Sequence, residues 1–280
     1  MPRELLPLVR QALGDRYTVE REIGHGGAAR VFLARTPEGT DVALKILRPE
    51  LAVTVAAERF LREIRLIGQL AHPNIASLLD AGEADWLVYL VMPFIEGPSL
   101  HHYLAEHRRL SVDDALRVAR DLLSALAHAH DHGIVHRDVK PDNIILARTG
   151  AVLVDFGIAR AIALSGSDRL TRSGITVGTS AYMSPEQILG VKDPDLRTDL
   201  YSAGCVLFEC LAGQAPFKHP SETVVLQRHM TQAPPDLRSL APDAAPGYVT
   251  AVLGALGKRP EDRWASAREM LDALGGGTPE

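Results

Sequence analysis

The sequence predicts an α+β fold in which a small β-rich N-lobe, over about residues 17–94, is joined to a larger helical C-lobe, over about residues 97–274. Apolar residues alternate with polar ones between residues 17 and 46, which is typical of strands. Beyond residue 97 they recur mainly at helical spacing. A β-rich lobe joined to a helical one is expected to leave a ligand cleft between them.

Three alternating runs carry the strand predictions: Tyr17, Val19 and Ile23; Val31 and Leu33; Val42, Leu44 and Ile46. Turn residues at 24–27 and 36–39 separate these runs, and the apolar run 86–92 predicts a further strand. Helices are predicted at residues 1–15, 56–70, 111–131, 198–212, 221–230, 246–256 and 264–274. The first helix is an N-terminal extension ended by Gly14, and the glycine-rich residues 275–280 resemble a linker or tail.

Composition places the chain among soluble globular proteins. Of 280 residues, 46% are hydrophobic and 23% charged, and the net charge of −5 gives no support to nucleic-acid binding. No apolar run is long enough to span a membrane, and the first residues lack a secretory signal. Cys205 and Cys210 lie five residues apart in a helical run, so a disulfide is not expected. We expect a cytoplasmic location, either for the chain alone or as the cytosolic domain of a longer, membrane-anchored protein.

The glycine-rich segment G-H-G-G at residues 24–27 lies between two predicted strands. Glycines there let the backbone approach a bulky anion and offer N–H groups to phosphate oxygens. A hairpin turn explains the same residues, and the segment alone favours that reading.

Lys45 and Glu63 are charged residues in otherwise apolar patterns. Lys45 lies on the strand face opposite Val42, Leu44 and Ile46, and Glu63 interrupts a helical apolar stripe. A carboxylate on an inward face requires a cationic partner, for which Lys45 is a candidate. The alternative is a surface Glu63 paired with a nearby arginine.

The segment H-R-D-V-K-P-D-N at residues 136–143, followed by V-D-F-G at 154–157, is the most specific signal in the chain. With V-A-L-K at 42–45 and S-P-E at 184–186, it resembles the eukaryotic-like Ser/Thr protein kinase family, in particular its bacterial branch. The resemblance extends from about residue 17 to 274. It implies the bilobal protein-kinase fold with ATP bound in the cleft.

The resemblance also implies residue roles in phosphoryl transfer, which depends mainly on positioning and charge neutralisation. Lys45 is expected to hold the α- and β-phosphates and to be oriented by Glu63. Asp138 is expected to orient the substrate hydroxyl, and Lys140 to place a positive charge beside the transferred group. In this family a lysine at that position marks Ser/Thr specificity.

The resemblance assigns metal binding to Asp155 and Asn143, whose oxygens suit Mg²⁺, with Mn²⁺ as an alternative. The nucleotide-binding residues that it implies are Ile23, Gly24, His25, Gly26, Gly27, Ala28, Ala29, Arg30, Val31, Ala43, Lys45, Met92, Pro93, Ile95 and Ile145. Pro93 is unusual in the hinge, but its carbonyl is retained and the N–H donor is expected from Ile95. Ala29 replaces a glycine that many members carry.

Scaffold roles are implied for four residues. Asp199 is expected to support the catalytic loop, Arg263 to pair with Glu186, and Thr179 to hydrogen-bond within the catalytic loop. Ser184 stands where alanine is common.

Arg137 predicts that the kinase is regulated by phosphorylation of its activation loop, because its guanidinium beside the catalytic aspartate needs an anionic partner. A phosphate on Thr171 or Ser173, or next on Thr176, would add roughly −1.5 to −2 charges for Arg137 to bind. The kinase itself is expected to modify this loop in a transient homodimer. The alternative is a loop whose hydroxyls are merely solvated.

We therefore predict an enzyme that transfers the γ-phosphate of ATP to serine or threonine hydroxyls of protein substrates, a signalling phosphoprotein. A pseudokinase scaffold or nucleotide sensor and a small-molecule phosphotransferase are the alternatives. His128, His130 and His132 suggest a metal cluster, but side chains two apart on a helix diverge.

Overall fold

The computed structural model describes residues 5–26, 29–47, 61, 64, 68, 70–156 and 179–275. The chain forms two compact units. The first comprises Met1–Ala71, Ala76–Ile95 and Gly157–Thr176, and the second comprises His72–Ile75, Glu96–Phe156 and Val177–Glu280.

Among its described residues, unit 1 contains helix α1 and a five-stranded antiparallel sheet with strand order β1-β2-β3-β5-β4. Its elements are α1 (Leu5–Leu13), β1 (Thr18–His25), β2 (Ala29–Arg35), β3 (Asp41–Leu47), β4 (Asp80–Ala84) and β5 (Leu87–Pro93). The strands predicted from alternation are confirmed. β4 was not predicted, because its sequence D-A-G-E-A lacks the β-branched and aromatic residues that mark strands.

Helix α1 covers one face of this sheet. Its buried residues Leu5, Val9 and Leu13 pack in one hydrophobic cluster with Phe32 and Tyr89. Arg10 fixes the helix to β1 by donating from Nε to the carbonyl of Val19 at 2.8 Å and from Nη2 to that of Glu20 at 2.6 Å. The predicted N-terminal extension is therefore an integral part of unit 1.

The described residues of unit 2 are mainly helical and include a β-hairpin. Its helices are α2 (Leu100–His107), α3 (Val112–Asp131), α4 (Pro185–Ile188), α5 (Arg197–Ala212), α6 (Glu222–Thr231), α7 (Leu237–Leu240), α8 (Pro246–Ala255) and α9 (Ala267–Leu274). The hairpin is formed by β6 (Ile144–Ala147) and β7 (Gly150–Leu153). Together with the sheet of unit 1 this confirms the α+β class. Within the described part of the chain, no helix is both long and apolar enough to cross a bilayer.

Helix α5 runs through the core of unit 2, and nearly all of its residues are buried. Cys205 and Cys210 lie within it as free, buried thiols, and burial raises the pKa of both. Asp199 lies in its first turn. Helix α9 begins three residues later than predicted because the Ser266 hydroxyl caps it, accepting from the Glu269 N–H at 3.2 Å.

Candidate active site

The loop that follows α3 is held in place by Asp199, which lies in the first turn of α5. Its carboxylate accepts the backbone N–H groups of His136 and Arg137, each at 2.7 Å, and contacts His130 Nε2 at 2.9 Å. Complete burial would raise the pKa of Asp199, but the hydrogen bond from His130 and the neighbouring donors hold it below the usual value. A buried carboxylate thus fixes the start of the loop that carries Asp138.

His136 joins this loop to the segment after β7. Its Nδ1 accepts the N–H of Asp138 at 3.2 Å, so the ring proton is on Nε2, which donates to the carbonyl of Val154 at 2.9 Å. The fully buried ring also packs edge-on against Phe156, with 4.6 Å between ring centroids. One side chain therefore determines the position of both motif segments in unit 2.

Asp138, Lys140 and Asn143 form a hydrogen-bonded group. Lys140 Nζ lies 3.0 and 2.8 Å from the two carboxylate oxygens of Asp138. Asn143 Nδ2 donates to the Asp138 carbonyl at 2.8 Å and to its Oδ2 at 3.1 Å. The carboxylate is thus oriented by two neighbours, and a cation lies beside it.

Asp155 directly follows Val154, whose backbone is hydrogen-bonded to that of Asn143. The Val154 N–H donates to the Asn143 carbonyl at 2.9 Å, extending the β6–β7 pairing by one step. Asp155 itself has φ of 68°, which is rare for a residue with a side chain. The two residues assigned to the metal are therefore positioned by the same hairpin.

In unit 1, Lys45 lies on the sheet face that the sequence predicts. Lys45 is directly opposite Val31, and Ala43 is opposite Met92, so these four residues share one face. Lys45 is buried, with 8% of its surface exposed.

The glycine-rich segment joins β1 to β2 as a hairpin. The N–H of Gly26 donates to the Ala29 carbonyl at 2.8 Å, and His25 is largely exposed beside this turn. Pro93 is the last residue of β5, opposite Val42, and the N–H of Phe94 donates to the Asp41 carbonyl at 3.3 Å. Ile145 lies in β6 of unit 2.

Glu186 and Arg263 form a buried, two-pronged ion pair at 2.7 and 2.8 Å. Burial would raise the pKa of Glu186, but the hydrogen bonds and charge of Arg263 hold it below the usual value. Thr198 donates a further hydrogen bond to the carboxylate at 2.8 Å. Ser184, the residue that departs from the usual alanine, caps α4 and contacts the Thr198 hydroxyl at 2.6 Å.

Two contacts of Arg137 were missed by the sequence analysis. Gln187 donates from Nε2 to the carbonyl of Arg137 at 2.7 Å. The Arg137 guanidinium pairs with the carboxylate of Asp193, whose side chain is 83% exposed. The Nε of Arg137 is buried and has no acceptor within the described residues. The S-P-E-Q capping box could have pointed to Gln187, whereas nothing in the sequence indicates the Asp193 pairing.

Of the three histidines near the end of α3, His130 diverges from the other two, as the sequence analysis expected from their spacing on a helix. His130 contacts Asp199, while the rings of His128 and His132 lie 4.5 Å apart between centroids with a tilt of 44° between their planes. Several predicted residues lie outside the described part of the chain, namely Gly27, Ala28, Glu63, Thr171, Ser173, Thr176 and the side chain of Thr179.

Comparison with known proteins gives a consistent result. The family described as "Protein kinase domain" matches residues 17–272. The chain is 40% identical over 273 residues to a probable serine/threonine-protein kinase of Corynebacterium efficiens, covering 94% of this chain and 41% of that protein.

Two further relatives are named serine/threonine-protein kinase PknB. That of Mycolicibacterium smegmatis is 39% identical over 267 residues, 93% of this chain and 42% of its own length. That of Mycobacterium tuberculosis is 40% identical over 265 residues, 92% of this chain and 42% of its own length. The chain thus spans about two fifths of the length of these relatives.

Proposed function

We propose, on the premise that this chain belongs to the protein kinase family, that it is an active kinase that transfers the γ-phosphate of ATP to serine or threonine hydroxyls of proteins. The observation that carries the proposal is the Asp138 carboxylate, held between Lys140 Nζ at 2.8 Å and Asn143 Nδ2 at 3.1 Å on a loop fixed by buried Asp199. A pseudokinase would not require this arrangement, and Lys45, Asp138, Asn143 and Asp155 are all present.

The role of Asp138 is to orient the substrate hydroxyl and to accept its proton late in the transfer. Lys140 lies against both oxygens of this carboxylate. Its ammonium keeps the carboxylate in one rotamer and supplies positive charge where the transferred phosphoryl group becomes more negative. Lys140 is also the residue on which we base Ser/Thr specificity.

The side chains of Asn143 and Asp155 fit a hard divalent cation. Asn143 directs its amide nitrogen to Asp138, so its amide oxygen is the atom that would bind a cation, and Asp155 offers carboxylate oxygens. Mg²⁺, or alternatively Mn²⁺, would neutralise charge on the phosphates when bound. Lys45, buried on the face shared with Val31 and Ala43, would contact the same phosphates, with Glu63 as its orienting partner.

We also propose that phosphorylation at Thr171 or Ser173, or next at Thr176, regulates the enzyme. Asp193 engages the Arg137 guanidinium from an exposed position. A phosphate carries about twice the charge of a carboxylate and offers three acceptor oxygens. It would therefore compete with Asp193 for Arg137 and so order the loop.

The kinase assignment is tested with radiolabelled ATP and generic protein substrates, using Asp138→Asn as the matched inactive form. We expect transfer by the wild type and at least a hundredfold less by the variant, with nucleotide binding retained. If the wild type bound ATP without transferring phosphate, a pseudokinase would be favoured. Phosphate transfer to small molecules only would favour a small-molecule phosphotransferase.

The regulatory proposal is tested by mass spectrometry after incubation with ATP and Mg²⁺. We expect phosphate within residues 165–176 and reduced activity in a Thr171→Ala, Ser173→Ala double variant. Wild-type enzyme should also phosphorylate a Lys45→Met variant, since the reaction is proposed to occur between two molecules of a transient homodimer. The proposal would be contradicted if residues 165–176 stayed unmodified and the double variant kept full activity.

A further inference from the structure

His229 is a completely buried histidine near the end of α6. Its Nδ1 lies 2.9 Å from the hydroxyl of Tyr201 in α5, and its ring packs edge-on against Phe217 with 4.8 Å between ring centroids. The Nε2 atom is also buried, and it has no hydrogen-bond partner in the part of the chain that the structure describes. Because a buried polar atom without a partner is costly, other contacts must hold this ring in place.

Lys258 and the Tyr201 hydroxyl supply those contacts. Lys258 Nζ lies 3.5 Å from the Tyr201 hydroxyl and 3.4 Å from the Arg228 carbonyl. It also lies 4.1 Å from the ring centroid of Phe217, which is within the range of a cation–π contact. An ammonium group only donates, so the Tyr201 oxygen accepts from Lys258 and directs its own proton to His229 Nδ1. The ring proton of His229 is then on Nε2.

The charge states of these groups follow from their burial. Burial lowers the pKa of His229 to about 4, so its imidazole is neutral at pH 7. Burial also lowers the pKa of Lys258 to about 8, so the ammonium form still prevails at pH 7. A cation and a neutral ring are therefore connected through the Tyr201 hydroxyl, and together they join α6 to α5.

Helix α6 packs against α4 and against the short 3₁₀ helix Thr179–Tyr182 (the 179–182 turn). The backbone of Ala181 in this turn lies beside His229, where it counteracts the lowering of the histidine pKa. The turn is also joined to α5, because Ser202 Oγ donates to the Tyr182 carbonyl at 2.8 Å. A shift of α6 would therefore displace this turn.

The 179–182 turn lies near the loop that carries Asp138. Burial, Glu209 and Asp142 all raise the pKa of Tyr182, which places Asp142, a residue of the H-R-D-V-K-P-D-N motif, near the turn. A polypeptide whose hydroxyl reaches Asp138 extends about 3.3 Å for each residue. Its neighbouring residues must therefore pass over the surface beside this loop, to which the turn contributes.

We propose that Lys258, Tyr201 and His229 are positioning residues that hold α6, and through it the 179–182 turn, where a polypeptide substrate passes Asp138. The inference rests on the proposed kinase function and concerns only its protein substrate. None of the three residues is among those assigned to ATP or to the metal. Their loss should therefore raise KM for a protein substrate and leave KM for ATP and kcat unchanged.

Three single variants and one double variant test the proposal. Lys258→Met removes the ammonium group, Lys258→Arg keeps a cation that can contact an aromatic ring, and Tyr201→Phe removes only the hydroxyl. The double variant combines Lys258→Met with Tyr201→Phe. Tyr248→Phe is the matched control, because Tyr248 is also buried and donates to the Leu207 carbonyl at 2.8 Å. The control thus removes a buried hydroxyl of the same kind from the contact between α8 and α5.

KM and kcat are measured with dephosphorylated casein and with ATP as the varied substrate, at a temperature where circular dichroism shows each variant to be folded. A second measurement does not depend on activity, since the ¹⁵N chemical shifts of the His229 ring report its tautomer. We expect the Nε2–H tautomer in the wild type, without titration between pH 6 and 7. The shifts should change in Tyr201→Phe and stay unchanged in Tyr248→Phe.

Lys258→Met and Tyr201→Phe are each expected to raise KM for casein about two- to tenfold, the size expected for the loss of one hydrogen bond. Lys258→Arg should stay within about twofold of the wild type, and Tyr248→Phe should match it. The double variant should be no weaker than the weaker single variant, because the residues act as one unit.

An unchanged KM for casein in Lys258→Met and Tyr201→Phe would overturn the inference and leave the kinase assignment intact. An equal rise in KM for ATP, or an equal rise in KM for casein with Tyr248→Phe, would indicate a general loss of structure and would also overturn the inference. A wild type that transfers phosphate to no protein would overturn the proposed function and the inference together.

Discussion

Replacing Arg263 with lysine is expected to destabilise unit 2 strongly although the charge is conserved. The guanidinium donates five hydrogen bonds, two to the Glu186 carboxylate at 2.7 and 2.8 Å. The other three go to the carbonyls of Gly257 at 2.7 Å, Arg197 at 3.0 Å and Lys258 at 3.1 Å. Its side chain has no solvent exposure. All five donors of arginine are therefore used by protein acceptors at a side chain that is closed to solvent.

The magnitude follows from counting donors. A lysine offers three N–H groups on one atom, so at least two of the five acceptors lose their partner. Each unsatisfied buried acceptor costs about 1–3 kcal/mol, which gives a loss of roughly 2–6 kcal/mol in the free energy of unfolding. For a protein of this size, a loss in that range lowers the unfolding temperature by at least about 3 °C.

The assay is thermal unfolding monitored by circular dichroism, with Arg259→Lys as the matched control. Arg259 lies on the same segment and forms ion pairs with Glu261 and Asp262, but its side chain is 68% exposed. We expect the control to shift the unfolding temperature by less than about 1 °C, because exposed pairs contribute little. Equal shifts in unfolding temperature for Arg263→Lys and Arg259→Lys would show that the buried hydrogen bonds of Arg263 do not contribute the stability assigned to them.

Three further predictions concern the site and its pH dependence. Lys45→Met and Asp155→Asn should each reduce phosphoryl transfer at least a hundredfold with unfolding temperatures near that of the wild type; normal turnover in a folded variant would contradict the assignment. Phosphoamino-acid analysis of substrates should give phosphoserine and phosphothreonine, and mainly phosphotyrosine would refute the role given to Lys140. Because the pKa of Glu186 is lowered in the folded state, its contribution to stability is present above the usual glutamate pKa and is lost as the pH falls through the lowered value. The difference in unfolding temperature between the wild type and Glu186→Gln should therefore shrink on acidification from pH 7, and a constant difference would contradict this account.

Features set by local periodicity were predictable from the sequence. In β3, Val42, Leu44 and Ile46 are fully buried in the cluster under α1, and Lys45 faces the other side, as alternation requires. The helices α3 and α5 begin within one residue of their predicted starts. Short-range patterns determine such elements, so a single sequence contains the signal for them.

Contacts between distant segments were not predictable in the same way. Arg137 pairs with Asp193 fifty-six residues later, and no spacing rule selects that carboxylate from its acidic neighbours. The divergence of His130 from His128 and His132 was predictable from helix spacing, but its partner Asp199, 69 residues later in α5, was not. Charged partners at long range depend on how elements pack, and packing is not encoded in a local pattern.

The structure also explains how unit 2 sustains backbone strain at the site. Arg137 and Asp155 both have φ of 68°, a conformation that costs about 1–3 kcal/mol for a residue with a side chain. Asp199 holds the N–H of Arg137 at 2.7 Å, and hydrogen bonds to a buried charge contribute about 1.5–3 kcal/mol each. His136 holds the carbonyl of Val154, the residue before Asp155, at 2.9 Å. Asp138 directly follows strained Arg137, and His136 joins it to the segment that contains strained Asp155. The fold of unit 2 therefore determines where the Asp138 carboxylate lies.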